Sequence, residues 1–348
     1  MGKAAADGRF GPDEAFASTV ITHGGKVVAK IPGGFNSWDV LDRKAKEHHR
    51  GTREWVFIEV RRFCEMKDED VIAKGGEEKA KTLFWLMGGG GTGKSVTIAV
   101  VCKRLYNKER LAAFHFCRHD NEANGEPIVI VRLICRMLCD TIDGFREELG
   151  AVDAAARAAA ARAAAAAATA TAAKATAPET AAAAKVKAAE GRQDEGGGLN
   201  VAEAMTTDKL GEAFETLVAK PLAKVKPPAD GESKAIVIDA LDEIKKEWVP
   251  DALRLITQHL AKLPPWIRII ITSRDEDGIK NVLSKTFDAT ELRCDEERNR
   301  GDVKGYLRHV ATVNVASDVT PRDLERAVLR EFKWVVLSAC ISSCLVSS

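Results

Sequence analysis

The sequence has 348 residues, 45% hydrophobic and 30% charged, which suits a globular protein of one to three domains at about 150 residues each. Lys and Arg number 52 against 51 for Asp and Glu, a formal net charge of +1. So even a balance excludes the basic footprint of a dedicated nucleic-acid binder and the acidic composition of a disordered solubiliser.

Residues 1–50 carry charges throughout and the breakers Gly24-Gly25 and Pro32-Gly33-Gly34. They are expected to form an irregular N-terminal region of loops with little core, and they hold no signal peptide. Glu54–Phe63 (EWVFIEVRRF) places Trp55, Ile58 and Arg62 at helical spacing, whereas Val56, Ile58 and Val60 alternate as in a strand; helix is the preferred reading. Lys81–Met87 (KTLFWLM) is an apolar run bounded by glycines and reads as the first buried strand. A helix follows Gly93 to about Tyr106, and Leu111–Cys117 is the second strand. Ile128–Ile142 opens IVIV, but Arg132, Arg136 and Asp140 recur every four residues and leave an apolar face, which predicts a helix.

Residues 151–190 hold 25 alanines in 40 positions, and no aromatic residue lies between Phe145 and Phe214. The stretch 151–200 is therefore expected to be a low-complexity surface insertion, partly helical and poorly anchored, dispensable over 151–198. Pro178 and Gly196–Gly198 punctuate it. Beyond it come a helix at Leu210–Leu222, the third strand Ala235–Asp239 (AIVID) and an amphipathic helix at Pro250–Leu263, whose Leu253, Ile256, Leu260 and Leu263 share a face. Trp266–Thr272 (WIRIIIT) and Ala289–Arg293 are the fourth and fifth strands. Strands alternating with helices predict an α/β fold with a doubly wound parallel sheet. Near the end, Trp334–Val346 is about 13 residues broken by serines, too short for a membrane span of ~20. The eight cysteines stand singly in apolar segments and read as reduced thiols, which points to the cytoplasm.

Gly88–Ser95 reads GGGGTGKS, a full match to GxxxxGK[ST], between a predicted strand and a predicted helix. Backbone N–H groups from Gly88 through Gly91, Thr92 and Gly93 turn inward as a nest for phosphate oxygens, and the helix that follows adds its positive dipole end. Lys94 reaches the β- and γ-phosphates of the nucleotide, and the Ser95 hydroxyl ligates Mg²⁺. The strand Ile236–Asp239 ends in a carboxylate of the Walker B kind, and Asp239 holds the same Mg²⁺ through water. Asp242 and Glu243 follow after a turn; one of them orients or deprotonates the attacking water, Glu243 first because its side chain is longer. The fourth strand runs into Thr272-Ser273-Arg274, and Arg274 is placed to neutralise charge on the γ-phosphate. All of these groups must meet at one sheet edge. That requirement predicts a five-stranded P-loop NTPase sheet of order 5-1-4-3-2, with the third and fourth strands flanking the first.

Other signals are weaker. His115, Cys117 and His119 alternate on a strand but lack a fourth ligand with zinc spacing, and Cys135 and Cys139 share a helix face as small hydrophobes do. No NKxD follows late in the sheet, since Asn107-Lys108-Glu109-Arg110 lacks the Asp and comes early, so ATP is expected over GTP. No LSGGQ-type segment of an ABC transporter is present.

The order GGGGTGKS, HFCRHD (His115–Asp120), IDALDE (Ile238–Glu243) and TSR (Thr272–Arg274) resembles the NACHT branch of the STAND NTPases, nearest to the nephrocystin-like P-loop domain. Arg53-Glu54-Trp55 is similar to that family's lead-in, which implies a contact of Arg53 on the base or ribose side of the nucleotide. Pro221-Leu222 and Asp302–Tyr306 (DVKGY) are also similar. The resemblance spans roughly 51–315 and implies an ATP-driven signalling switch with slow hydrolysis. It further implies ATP or ADP and Mg²⁺ as ligands, protein partners, and nucleotide-dependent self-association. No winged-helix segment or repeat array is evident after 315, so 316–348 is expected to be a helical or truncated C-terminal segment. The alternative is a non-hydrolysing, nucleotide-stabilised interaction module. No nucleic acid and no membrane span are expected.

Overall fold

Four apolar strands lie side by side through the middle of the chain, and three of them have every residue buried. A computed structural model describes residues 19–23, 26–31, 37–66, 83–118, 125–176, 198–229, 231–294, 298–299 and 301–302. In chain order a hairpin comes first, of antiparallel β1 (Thr19–His23) and β2 (Lys26–Ile31), then helices α1 (Ser37–Lys46) and α2 (Glu54–Glu65). Strand β3 (Leu83–Met87) leads into α3 (Lys94–Asn107), then β4 (Leu111–Phe116), α4 (Pro127–Thr141) and the long α5 (Phe145–Thr176). The short α6 (Val201–Ala204) precedes α7 (Leu210–Phe214), which widens into a π turn at Glu215–Ala219 and ends with Lys220–Leu222. Pro221 has no N–H to offer the carbonyl four residues back, and the helix widens where that bond is missing. Strand β5 (Lys234–Asp239), α8 (Val249–Arg254, continued by a π turn and a 3-10 turn to Lys262), β6 (Ile267–Ser273), α9 (Asp277–Thr286) and β7 (Thr290–Arg293) complete the described chain.

The five strands β3 to β7 form one parallel sheet in the order β4-β5-β6-β3-β7. Strand β3, which leads into the glycine loop, lies between β6 and β7, so the fourth and fifth predicted strands flank it rather than the third and fourth, and the expected placement of the third, Ala235–Asp239, beside it is corrected. That strand pairs with β4 and β6 instead. The chain passes from β3 through α3 to the far edge at β4, then returns strand by strand through β5 and β6. With right-handed crossovers, α3 covers one face while α4, α8 and α9 cover the other. Central β3 and β6 are therefore buried throughout, and edge β7 is only partly buried. Ile269, Ile270 and Ile271 are fully buried, each worth about 1.5–3 kcal/mol relative to exposure.

Several expectations change. Residues 1–50 include a helix with core residues: Val40 and Leu41 of α1 are buried, and Trp38 packs edge-on against Tyr106 and Phe114 at ring-centroid distances of 4.9 and 4.8 Å. The sequence signal was present in Trp38, Leu41 and Ala45 at helical spacing, masked by the charges between them. Segment Glu54–Phe63 is helical, but it buries Val56, Phe57, Val60 and Phe63, and Ile58 is 40% exposed, so the stripe of Trp55, Ile58 and Arg62 is not the core face. The alanine-rich stretch starts anchored, with Phe145, Leu149, Val152 and Asp153 of α5 buried, and side chains are exposed throughout from 160 to 170. Residues 177–197, Lys81, His119, Asp120, 303–306 of the DVKGY segment and 316–348, including Trp334–Val346, lie outside the described residues. Among the described residues no helix is long and apolar enough to cross a membrane.

Candidate functional site

The loop after β3 is built on glycine. Gly91 and Gly93 take φ of 74° and 81°, left-handed values that cost a residue with a Cβ roughly 1–2 kcal/mol. Gly93 then caps α3 at its N-terminal end. Lys94 is buried, and its Nζ donates to the carbonyls of Gly88 at 2.6 Å and Gly89 at 3.0 Å, so the ammonium lies inside the loop it follows. Burial lowers its pKa from the ordinary value, and the nearby carboxylates Asp242 and Asp239 offset part of that. Thr92 closes the loop from outside by donating its hydroxyl to Gly89 O at 2.8 Å.

Strand β5 delivers Asp239 to the same edge, 1% exposed. Thr272 on β6 holds it: the Thr272 hydroxyl donates to Asp239 Oδ1 at 2.5 Å and accepts the Ala240 N–H at 2.8 Å. Ala240 has a φ of 55°, so the chain turns sharply as it leaves the strand and enters the short turn Leu241–Glu243. The Ser95 side chain also hydrogen-bonds Asp239, which brings the loop's last residue and the carboxylate at the end of β5 together. Burial pushes the Asp239 carboxyl up; the bonds from Thr272 and Ser95 and the charge of Lys44 act the other way.

Asp242 and Glu243 diverge. Asp242 is buried and turned to β6, where Oδ1 accepts the Arg274 N–H at 3.0 Å and Oδ2 pairs with Arg274 Nε at 3.0 Å. The Arg274 guanidinium lies over the glycine loop, near Gly90. Glu243 instead lines a cavity of about 220 Å³ together with Ser95, Asp239 and Cys117. The rest of the lining is mostly basic: Arg43 and Lys44 from α1 and Arg118 past the end of β4, with Glu47 just after α1 as an added acid.

Arg53 supports the loop from behind. Its left-handed backbone (φ 60°) starts α2, and its buried guanidinium donates to Thr92 O and, at 3.1 Å, to Cys294 O just past β7. The Asp302 carboxylate accepts the Arg53 N–H at 2.8 Å and Trp55 Nε1–H at 3.0 Å.

The structure thus brings Gly88, Gly91, Thr92, Gly93, Lys94, Ser95, Asp239, Asp242, Glu243, Arg274 and Arg53 to one end of the sheet. Sequence reasoning assigned no role to Thr272, Lys44 or Asp302. Thr272 was in view as part of TSR, and a hydroxyl directly before a strand end beside Asp239 was its signal. Asp302 was in view only as the first residue of DVKGY, and Lys44 gave no signal; the partners of both are remote in sequence.

Residues 51–177 match the family model described as Nephrocystin 3, N-terminal. No curated protein matches the chain. Among solved structures, one described as the structure of Drosophila ORC bound to DNA aligns with 75% of this chain at 13% identity and a TM-score of 0.27. The chain spans about half of that protein, 49%. A likeness of that size carries no argument about this chain. The all-parallel five-stranded sheet with its glycine loop after β3 is compatible with a P-loop NTPase fold.

Proposed function

We propose that this chain binds ATP with Mg²⁺ and hydrolyses it slowly, as a nucleotide-controlled signalling switch of the STAND type, NACHT branch. The observation that carries the reading is the meeting of Ser95 and Asp239 at the mouth of a glycine loop whose lysine is buried inside it. Such a set fits a metal–triphosphate. The loop N–H groups and Lys94 suit phosphate oxygens, and a serine hydroxyl beside a carboxylate suits a hard divalent ion. Bound Mg²⁺ would offset phosphate charge and orient the terminal group.

The chain's own residues divide the remaining work. Lys94 exchanges two loop carbonyls for phosphate oxygens, an exchange favoured by charge at both partners. Glu243 is the residue that orients the attacking water, since it lines the cavity beside Ser95 and Asp239. Asp242 positions Arg274 over the loop, where the guanidinium meets charge developing on the terminal phosphate. The left-handed Arg53 lead-in holds Thr92, next to where the base and ribose would leave the loop.

The test is calorimetric titration of the chain with ATP and Mg²⁺, followed by single-turnover hydrolysis. ATP binding that weakens by roughly 10- to 100-fold in Lys94→Ala, with turnover in the wild type, is the expected result. Unchanged affinity in that variant would sink the nucleotide site. Binding without turnover would make the chain a non-hydrolysing, nucleotide-stabilised interaction module.

A further inference from the structure

We infer that Lys44, carried on the N-terminal helix α1, is a terminal-phosphate contact that gives the site its preference for nucleoside triphosphate over diphosphate. The inference rests on the nucleotide reading above and concerns a residue outside the loop, the Walker B strand and the Arg274 turn. Lys44 and its neighbour Arg43 line the cavity beside Ser95, Asp239 and Glu243. Any group seated past the loop toward Glu243 therefore faces α1.

Position supports it. Trp38 seats α1 between Tyr106 of α3 and Phe114 of β4, Leu41 is fully buried, and Asp42 pairs with Lys103 at 2.7 Å. Lys44 Nζ stands 5.8 Å from the Phe116 ring centroid, which fixes its stem against the end of β4, one residue before cavity-lining Cys117. Lys44 as a whole is half-buried, and its charge acts on the Asp239 carboxylate. A cation held this way is screened less than one on the open surface.

Chemistry supports it too. A diphosphate is met by the loop N–H groups and Lys94. The charge that distinguishes a triphosphate extends beyond them, toward the wall carrying Ser95 and Glu243, where a carboxylate alone would repel it. Arg274 is tied to Asp242 on the loop side. Lys44 supplies positive charge on the cavity side. A ligand that rewards contact with α1 only in its triphosphate form also tightens the docking of α1, so nucleotide state is coupled to the position of the N-terminal segment.

The experiment measures affinities of the full chain for fluorescent ATP and ADP analogues with Mg²⁺, in the wild type, Lys44→Met, Lys44→Arg and Lys94→Ala. Expected is a loss of roughly 10- to 100-fold for the triphosphate in Lys44→Met, little change for the diphosphate, and recovery in Lys44→Arg. An equal loss for both nucleotides, or none, overturns the inference. Wild-type affinity in Lys94→Ala overturns the nucleotide reading itself, a result distinct from intact Lys94 dependence with no Lys44 effect. Hydrogen exchange over residues 37–46 needs no variant: slower exchange with a non-hydrolysable triphosphate than with ADP supports the coupling, and equal exchange overturns it.

Discussion

The Arg53 guanidinium donates a hydrogen bond to the Thr92 carbonyl, so the phosphate loop is braced by a residue 39 positions upstream. Arg53 is itself held in a left-handed conformation that a residue with a Cβ adopts at a cost of about 1 kcal/mol or more. The Asp302 carboxylate secures that conformation by accepting the Arg53 N–H and the Trp55 indole N–H together. Replacing Asp302 by Ala removes the one oxygen, Oδ2, that accepts both bonds. The unfolding free energy should fall by about 1–3 kcal/mol, read from urea denaturation, and nucleotide affinity should fall with it as the brace loosens. An unchanged midpoint would show that the clasp contributes nothing.

The two acids after the Walker B strand should separate in kinetics. Glu243→Gln is expected to cut turnover by about 10²–10⁴-fold with nucleotide affinity nearly intact. Asp242→Asn loses the ion pair with Arg274, so its effect should be matched by Arg274→Ala and should not add to it in the double variant. Turnover equal to wild type in Glu243→Gln would remove that residue from the chemistry.

Asp153 marks where the alanine-rich stretch stops being optional. Its buried carboxylate accepts the Val201 N–H at 2.8 Å and pairs with Arg157 at 2.7 Å, joining the start of α5 to α6. Deleting 161–197 behind a short Gly/Ser link should leave the thermal midpoint nearly unchanged, because the side chains at 161–170 make no core. A deletion beginning at 151 should cost several kcal/mol, since it removes Val152 and leaves the Val201 N–H without Asp153. Equal midpoints for the two deletions would refute this boundary.

Thiol chemistry gives a pH test. Burial pushes the Cys64 thiol up to about 12 from its ordinary 9.0. Above 9.0 the unfolded chain sheds this proton while the folded chain keeps it. Stability contributed by Cys64 is therefore complete below 9.0 and falls as pH rises from there toward 12. All six cysteines among the described residues are buried, so a disulfide reagent at pH 8 should find these six silent until denaturant is added. Cys64→Ser should flatten the alkaline loss; rapid labelling of Cys64 in the native chain would contradict its burial.

Much of this site was legible because its parts are local. Eight consecutive residues make the glycine loop, and the strands around it announce themselves as mainly apolar runs in LFWLM, AIVID and IRIIIT. Helix α4 was readable despite its IVIV opening because Arg132 and Arg136 mark its outer face. Long-range partners were not legible. Nothing near Asp302 signals a bond to Arg53, 249 residues away, and nothing in Asp242-Glu243 says which acid turns to Arg274. Helix α1 was missed because charge dominates its ten residues, and the core face of α2 was not legible because it has two apolar stripes and only tertiary packing chooses between them.

Strand order also governs when this sheet can form. Strands β3 and β4 are made early, only 23 residues apart from the end of one to the start of the other, yet two later strands stand between them in space. A nascent chain that has reached the end of α5 therefore carries two strands that are wholly buried in the folded chain, with no strand of the sheet to pair with. Pairing waits for β5 and β6, more than a hundred residues downstream of β4. Such non-local closure is intrinsically slow and leaves unpaired edges open to association between chains. Synthesis at low temperature or with chaperone support should matter more for this chain than its native core suggests, and a fragment cut at 177 holds β3 and β4 without the strands that join them.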